Sequence, residues 1–521
     1  MSQFLSFILH TSLALTLRPF AWLIALWLVA SCPVLSAQTP QGAARNLDQT
    51  ATERSLEERV AALEREVRAL LAALAATSGQ PRVGCPDGTS AVPQSTLERL
   101  EALDEQIRIL DRRRELERGR EAEATKQAPV VDAGTRGFGL RSSDGSFLLS
   151  LRGLMQVDGR WFLSDAGQAF TDTLVARRVR PILLATLFKQ VDVRLMPDFG
   201  DGRVLVQDAQ VDVRFTSTFR LRAGKFKPPF GLERLTSASD LLFLERAFPT
   251  GVAPNRDVGA MVYGDLAVGR LSYAFGLFNG LADGASADLD DQDGKDAVGR
   301  VFAQPFAGSK GHPLGGLGVG AAASYGEVTG VASTPSLASY RTTGQQVFFR
   351  YRLDGTASGS AVASGTRYRA SLQAYYYAGP VGMLFEQAYS SQKLRRGATA
   401  GEGGVNAWQV AGSWVLTGER ASHRAIVPRR NFDPGSGAWG AFELASRYHQ
   451  LSVGGAAFPV FADPSVGAQR ARAWTAGLNW YLNPALKLVF NYEETRFRGG
   501  APGGADRGTT RDLLTRLQVA F

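Results

Sequence analysis

The sequence predicts an all-β transmembrane β-barrel of about 16 antiparallel strands, preceded by an N-terminal α-helical coiled coil. The last nine residues, 513–521, alternate between apolar and polar side chains and end on Phe521. Similar alternation recurs from about residue 137. Near the N-terminus, an apolar stretch is long enough for an export signal but too short for a spanning helix, which needs about 20 apolar residues. An exported chain without such a helix can cross a membrane only as a closed barrel, because lipid offers the backbone no hydrogen-bond partners.

Residues 1–37 have the organisation of a signal peptide. Arg18 precedes an unbroken apolar core at 21–30, and Ala37 ends a plausible cleavage site. Lipidation at Cys32 is the alternative, although a proline directly follows that cysteine. Residues 38–50 are a polar linker. No disulfide framework is expected, because signal removal would leave one cysteine.

A helical region is predicted at 51–128. Its apolar residues recur at alternating spacings of four and three, with Glu and Arg beside them, which predicts a heptad seam. Turn residues interrupt the pattern at 79–93 before a second apolar stripe begins. A coiled coil in the periplasm is favoured over a single amphipathic helix. The seam comprises Leu56, Val60, Leu63, Val67, Leu70 and Leu74, and the second stripe comprises Leu100, Leu103, Ile107 and Leu110.

The barrel is predicted at 137–521, where roughly 24 residues per strand and its share of loops give about sixteen strands. In the last strand, Leu517, Val519 and Phe521 are expected to face lipid and Arg516 the lumen. Clustered aromatics at 375–377 and 480–481 suit a girdle at the membrane interface.

Enzymatic chemistry is not predicted. Three histidines follow the signal, none at a metal-ligand spacing. The acidic segment 288–296 departs from a calcium loop, because Leu289 takes the first ligand position and Arg300 replaces the bidentate glutamate. No cofactor or metal is therefore expected. The net charge of +9 would suggest nucleic acid in a cytosolic protein, but an exported barrel points to small anions instead.

The basic run Arg177, Arg178 and Arg180 lies within an apolar strand. Each arginine would cost about 2–4 kcal/mol on a lipid face near the midplane, so most should face the lumen or lie near a rim. Arg178 and Arg180 share a parity and are the stronger candidates for the lumen. Guanidinium groups suit phosphate, because they stay charged and donate in a planar fork.

These arginines belong to a set of ordered motifs that resembles the phosphate-selective porins (the O and P porins) of Gram-negative outer membranes. The resemblance covers roughly Phe138 to Phe521. It implies a sixteen-stranded homotrimeric barrel, surrounded by lipid and lipopolysaccharide, with inward loops and an arginine ladder leading to a phosphate site. The motifs are Ala-Arg-Arg at 176–178, Ala-Gly-Lys-Phe at 223–226, Phe-Gly-Leu-Glu-Arg at 230–234, Phe-Leu-Glu-Arg at 243–246, Val-Leu-Thr-Gly-Glu at 415–419, Leu-Asn-Trp-Tyr at 478–481 and the terminal Leu-Gln-Val-Ala-Phe.

The resemblance assigns residues one by one. Arg177 and Arg178 match the paired ladder arginines, and Arg246 matches the ladder arginine of the Leu-Glu-Arg motif. Arg234 stands where the site lysine usually follows, and Ser237 matches a phosphate-contacting serine.

Other positions depart from the family pattern. Arg180 and Lys227 occupy positions that commonly hold tyrosines. Leu154 replaces a ladder arginine, with Arg152 two residues away on the same face. Lys393, in contrast to these departures, matches a later lysine. These departures predict a more positive pore.

The preferred function is therefore a passive outer-membrane anion channel with a preference for phosphate or polyphosphate. Two alternatives remain open. One is a general anion porin without a phosphate site. The other is an envelope tether that acts through the coiled coil, with possible cell-wall contact.

Overall fold

A computed structural model of the chain describes residues 94–134, 137–164, 170–290, 292–309 and 311–521, with positions 58, 61–62, 64–69, 72 and 76. The predicted signal at 1–37 and linker at 38–50 lie outside the described residues. The chain divides into two compact units, Met1–Glu123 and Ala124–Phe521.

Helix α1 spans Gln94–Gln127, where Leu, Glu and Arg favour helix throughout. Ile107 and Ile109 are exposed along it. Most of the seam between residues 56 and 74 lies outside the described residues, so the pairing of helices stays a prediction. No helix in the described ranges has the length and apolar character needed to cross a membrane.

A closed antiparallel barrel of sixteen strands forms the second unit, which confirms the predicted fold class of that part. A hairpin of β1 and β2 precedes the barrel, and β2 adds to the start of its first strand. A second hairpin, β12 and β13, lies within one loop. The hairpin strands are β1 (Val130–Gly134), β2 (Gly137–Arg141), β12 (Ser339–Arg341) and β13 (Val347–Arg350). The barrel strands are β3 (Phe147–Ser164), β4 (Thr173–Leu187), β5 (Val191–Asp198), β6 (Leu205–Arg214), β7 (Arg220–Phe226), β8 (Asp257–Leu266), β9 (Leu271–Phe278), β10 (Asp296–Ala303), β11 (Leu317–Thr329), β14 (Ala361–Ala378), β15 (Val381–Arg396), β16 (Thr399–Val415), β17 (Ala441–Val453), β18 (Ala468–Tyr481), β19 (Leu486–Gly499) and β20 (Thr510–Ala520).

The barrel closes between its last strand and its first. β20 pairs with β3, with Leu517 opposite Val157. Beyond the strand, the backbone N–H of Phe521 donates to the carbonyl of Gly153 at 3.0 Å, and Gly153 donates back at 2.9 Å. A Cβ on Gly153 would lie 2.5 Å from the ring of Phe521, so the missing side chain makes room for the aromatic.

Alternation along the strands separates an apolar outer face from a polar lumen. On β3, Met155 is 45% exposed, whereas Gln156 and Asp158 are fully buried. The same alternation corrects the expectation that the aromatics at 375–377 and 480–481 form a girdle at the membrane interface. Only the middle tyrosine of 375–377 points outward, because successive strand residues face opposite sides. Tyr481 likewise points inward, where its hydroxyl donates to Glu443 at 2.7 Å.

The connection between β7 and β8, residues 227–256, folds into the lumen and is called the inner loop here. It contains the short helices α2 (Leu232–Leu235) and α3 (Pro249–Val252). Glu386 on the wall accepts the backbone N–H groups of Leu232 and Glu233 at 2.7 and 3.2 Å. Asn491 on the opposite part of the wall accepts the N–H of Leu244 at 2.7 Å. The loop backbone is thus held at several points, which fixes its charged side chains.

Candidate anion pathway

A cavity of about 590 Å³ lies between the inner loop, the barrel wall and two further loops at 282–286 and 337–345, and arginine is the commonest residue in its lining. Eight arginines line it, against four carboxylates. A space with this excess of permanent positive charge attracts anions. Five of the nine residues predicted from the sequence meet here, namely Arg177, Arg178, Arg180, Arg234 and Arg246, and the other arginines are Arg203, Arg256 and Arg341.

A β-bulge brings two adjacent arginines to the same side of the wall. In the pairing of β3 with β4, Gln156 lies opposite Arg178, but Val157 lies opposite Ala176, so Arg177 is the extra residue. A bulge breaks the strict alternation of faces. Arg177 therefore reaches the lumen together with Arg178, whereas alternation alone predicts that they point apart.

Glu245 of the inner loop forms ion pairs with both of these arginines. Its carboxylate accepts from Nε of Arg177 at 2.7 Å and from the guanidinium of Arg178 at 3.2 Å. Arg516 on β20 lies 3.6 Å from the same carboxylate and forms two hydrogen bonds with Asp158. Burial alone would raise the pKa of Glu245, but the charges of the three arginines hold it well below its usual value. Glu245 is therefore a fixed negative charge in the pathway.

Arg180 is held by Asp198, which lies at the end of the neighbouring β5. Nε of Arg180 donates to this carboxylate at 2.7 Å. The other carboxylate oxygen accepts from the backbone N–H groups of Val179 and Gly200 at 3.1 and 3.2 Å. Gly200 fits closely against the bulge, because a Cβ there would lie 2.7 Å from the carbonyl oxygen of Arg177. The aspartate and the glycine together support the bulge.

Three cations of the inner loop bond to backbone carbonyls instead of carboxylates. Arg246 donates to the carbonyls of Glu233 and Thr236 at 2.9 and 2.7 Å. Arg234 donates to the carbonyl of Thr250 at 2.6 Å, and Lys227 donates to that of Thr236 at 3.0 Å. Among the described residues, none of the three cations forms an ion pair with a carboxylate. Carboxylates such as Glu233 and Glu386 act on these cations through space and not by direct contact.

Burial weakens the protonation of these groups. It lowers the pKa of Arg246 to about 10, which leaves the guanidinium charged at neutral pH. Burial, followed by the charges of Arg246 and Arg256, lowers the pKa of Lys227 well below its usual value. An anion that approached would favour the charged forms, because opposite charges stabilise ionisation.

Arg256, which is buried at the end of the inner loop, was not among the residues predicted from the sequence. Its Nε donates to Asp208 on β6 at 2.9 Å, and another guanidinium nitrogen donates to Asn255 at 3.1 Å. The polar run at 255–257, directly before an alternating strand, was the one available signal. It does not reveal which way the side chain points.

Four predicted residues lie apart from the cavity lining. Ser237 is exposed in the inner loop, and its hydroxyl lies 2.9 Å from that of Ser239. Lys393 is exposed on the outer face of β15, because the inward positions beside it are taken by the buried Gln392 and Leu394. Arg152 is exposed near the start of β3. Lys227 does not line the cavity either, although its neighbours Arg246 and Arg256 do.

A family model for phosphate-selective porin O and P matches residues 168–521, which covers the arginine cavity and nearly all of the barrel. The chain belongs to this family. Porin O of Pseudomonas aeruginosa is 26% identical over 430 residues, which cover 76% of this chain and 94% of that protein. This chain is accordingly an outer-membrane porin, a channel and not an enzyme.

Solved structures of outer-membrane channels are also similar to the barrel. The channel DcaP of Acinetobacter baumannii is 10% identical with a TM-score of 0.47, and the match covers 74% of this chain and 99% of that one. An anion-selective porin from Comamonas acidovorans is 13% identical with a TM-score of 0.44, covering 72% of this chain and 100% of that one.

Proposed function

We propose that this porin conducts small anions and binds phosphate or polyphosphate transiently in the arginine cavity. The proposal rests on the hydrogen bonds that the cations of the inner loop form. Arg234 and Arg246, which line the cavity, donate to backbone carbonyls and form no ion pair with a carboxylate in the described part of the chain. Lys227 lies behind them with the same kind of contact. A phosphate oxygen can accept from such groups without displacing an ion pair. The wall arginines Arg178 and Arg180 are already paired with carboxylates. They therefore contribute to the positive potential of the cavity more than to direct contacts with phosphate.

Release of the anion is compatible with this arrangement. A conducting site must bind weakly enough for the ion to leave. The carboxylates of Glu245 and Asp198 lie in the same cavity and oppose an approaching anion.

We also propose that the protein acts as a homotrimer, with its helical region in the periplasm.

Reversal potential and phosphate inhibition of chloride current in planar bilayers test the proposal. We expect Arg246→Ala to weaken phosphate inhibition about tenfold, because charge-assisted hydrogen bonds contribute about 1.5–3 kcal/mol. Arg178→Ala should have a smaller effect in the same direction. Arg395→Ala is the matched control, because Arg395 is exposed on the outer side of β15. Equal phosphate inhibition in the wild type and Arg246→Ala would contradict the assigned site.

A general anion porin is the second candidate, and the ion pairs of the wall arginines favour it. In that case the channel stays anion-selective, but phosphate at millimolar concentration does not block chloride current.

A tether is the third candidate, because apolar residues such as Ile107 and Leu116 are exposed on α1. Deleting residues 51–126 should preserve conductance in a porin and abolish attachment to the cell wall in a tether.

A further inference from the structure

The outer face of the barrel carries an unusual arrangement of arginines on β18 and β19. Arg470 lies directly opposite Arg498, and Arg472 lies directly opposite Arg496. Like charges directly opposite each other destabilise a sheet. Two consecutive pairs of this kind therefore favour the binding of a compensating anion.

These side chains point away from the pore. The residues between them along the strands, Ala471 and Phe497, are buried on the inner side, while Arg472 and Arg498 are exposed. Arg511 on β20 is exposed beside them. We call Arg470, Arg472, Arg496, Arg498 and Arg511 the outward arginine cluster.

The protein supplies little negative charge to this cluster. Glu494 pairs with Arg496 at 2.7 Å and with Arg511 at 3.1 Å. Arg470 donates to the hydroxyl of Ser452 at 3.2 Å. Within the ranges that the structure describes, Arg472 and Arg498 form no ion pair. In the part of the chain that the structure describes, Glu494 is thus the one carboxylate ion-paired with the cluster, and two of the five arginines share it.

The position of the cluster along the barrel indicates what compensates the charge. Two aromatic residues lie next to the cluster on the outer face. Tyr492 comes two residues before Glu494, Trp474 comes two residues after Arg472, and their ring centroids are 6.2 Å apart. Such aromatics mark the membrane interface. At about 3.4 Å per residue, Arg472 lies roughly 7 Å beyond Trp474 and Arg470 roughly 14 Å, at the height of the headgroups.

The cluster lies at the barrel end with the longer connections. The inner loop and the connections at 279–295, 330–360 and 454–467 belong to this end, although a short turn at 397–398 does too. At the other end, most connections are turns such as 379–380, 188–190 and 482–485, and the longer ones are 304–316 and 416–440. Outer-membrane barrels carry short turns on the periplasmic side and longer loops on the extracellular side. The cluster therefore faces the outer leaflet.

We propose that the outward arginine cluster binds the phosphorylated saccharide headgroup of the outer-leaflet glycolipid. Guanidinium groups donate two parallel hydrogen bonds to phosphate oxygens, and paired arginines can share one phosphate between strands. A bound phosphate group would turn the repulsion between the opposed arginines into attraction. The site is separate from the pore, so it does not depend on the proposed phosphate selectivity.

The test measures binding of bisphosphorylated lipid A to the detergent-solubilised full-length protein by native mass spectrometry. Arg472→Gln combined with Arg498→Gln should weaken binding at least tenfold. Arg141→Gln combined with Lys189→Gln is the control, because it removes two exposed cations at the opposite end of the barrel. Arg472→Lys combined with Arg498→Lys keeps the charge and should retain most of the binding. Lipid A with its phosphates removed should bind the wild type as weakly as intact lipid A binds the glutamine variant.

Folding of each variant is checked by its chloride conductance, which should equal that of the wild type. Equal affinity of the wild type and the glutamine variant for lipid A would overturn the proposal. Equal binding of the dephosphorylated lipid to the wild type would overturn it as well. Loss of subunit association with unchanged lipid affinity would identify the cluster as a contact between copies of the chain, and it too would overturn the proposal.

Discussion

Replacing Glu245 by glutamine should increase the affinity of the pore for phosphate while it destabilises the inner loop. The carboxylate lies within 2.7 to 3.6 Å of three guanidinium groups, those of Arg177, Arg178 and Arg516. It also lines the arginine cavity, so it repels any anion there. Glutamine keeps the shape and the acceptor oxygen but removes the negative charge.

The magnitude follows from Coulomb's law. A unit charge about 8 Å from the anion contributes roughly 0.5–2 kcal/mol for effective dielectric constants between about 80 and 20. The phosphate concentration that halves the chloride current should therefore fall by about 2- to 30-fold in Glu245→Gln. Stability should decrease by about 3–5 kcal/mol, because buried arginines lose a partner.

Single-channel recording with phosphate titration measures the first effect, and heat-dependent electrophoretic mobility measures the second. Asp132→Asn serves as the control, because Asp132 is exposed on the β1 hairpin outside the barrel wall. If the folded Glu245→Gln channel binds phosphate no better than the wild type, the cavity is not where phosphate is held.

Two further predictions concern the inner loop and the bulge. Because burial lowers the pKa of Lys227 well below its usual value, this group loses its charge at a lower pH than exposed lysines do. Anion selectivity should therefore decline as pH rises through the range in which Lys227 deprotonates and exposed lysines stay charged. Lys227→Arg should abolish the decline, as reversal potentials in a KCl gradient would reveal. Gly200→Ala should lower thermal stability by about 1–3 kcal/mol, since its Cβ would lie 2.7 Å from the carbonyl oxygen of Arg177. Gly412→Ala is the matched control, because the nearest atom there is 3.8 Å away.

Strand alternation made much of the barrel predictable from the sequence. The period of two in the last strand assigns Phe521 to the outer face and Arg516 to the lumen, and the structure has both there. Burial of charge in lipid is costly enough that Arg178 and Arg180 could be assigned to the lumen without coordinates.

Positions that depend on register or loop conformation could not be predicted in this way. Arg177 reaches the lumen through a bulge, and nothing in the local composition marks the extra residue. Lys393 was expected in the pore, yet it faces outward between the inward-facing Gln392 and Leu394, and an assignment that is one residue out exchanges the two faces of a strand. Arg256 lies in a loop without periodicity, so only the folded chain brings it to Asp208.

The bulge at Arg177 has a consequence for how such pores diversify. A substitution in a regular strand exchanges one lumenal side chain for another and leaves the number of lumenal positions unchanged. An inserted residue adds a lumenal side chain, while Ala176 and Val179 on either side keep facing outward. The hydrogen-bond ladder resumes on both sides of the insertion, so the change stays local. Gain or loss of a single codon could therefore alter the charge of the pore without any change to the surface that meets the lipid.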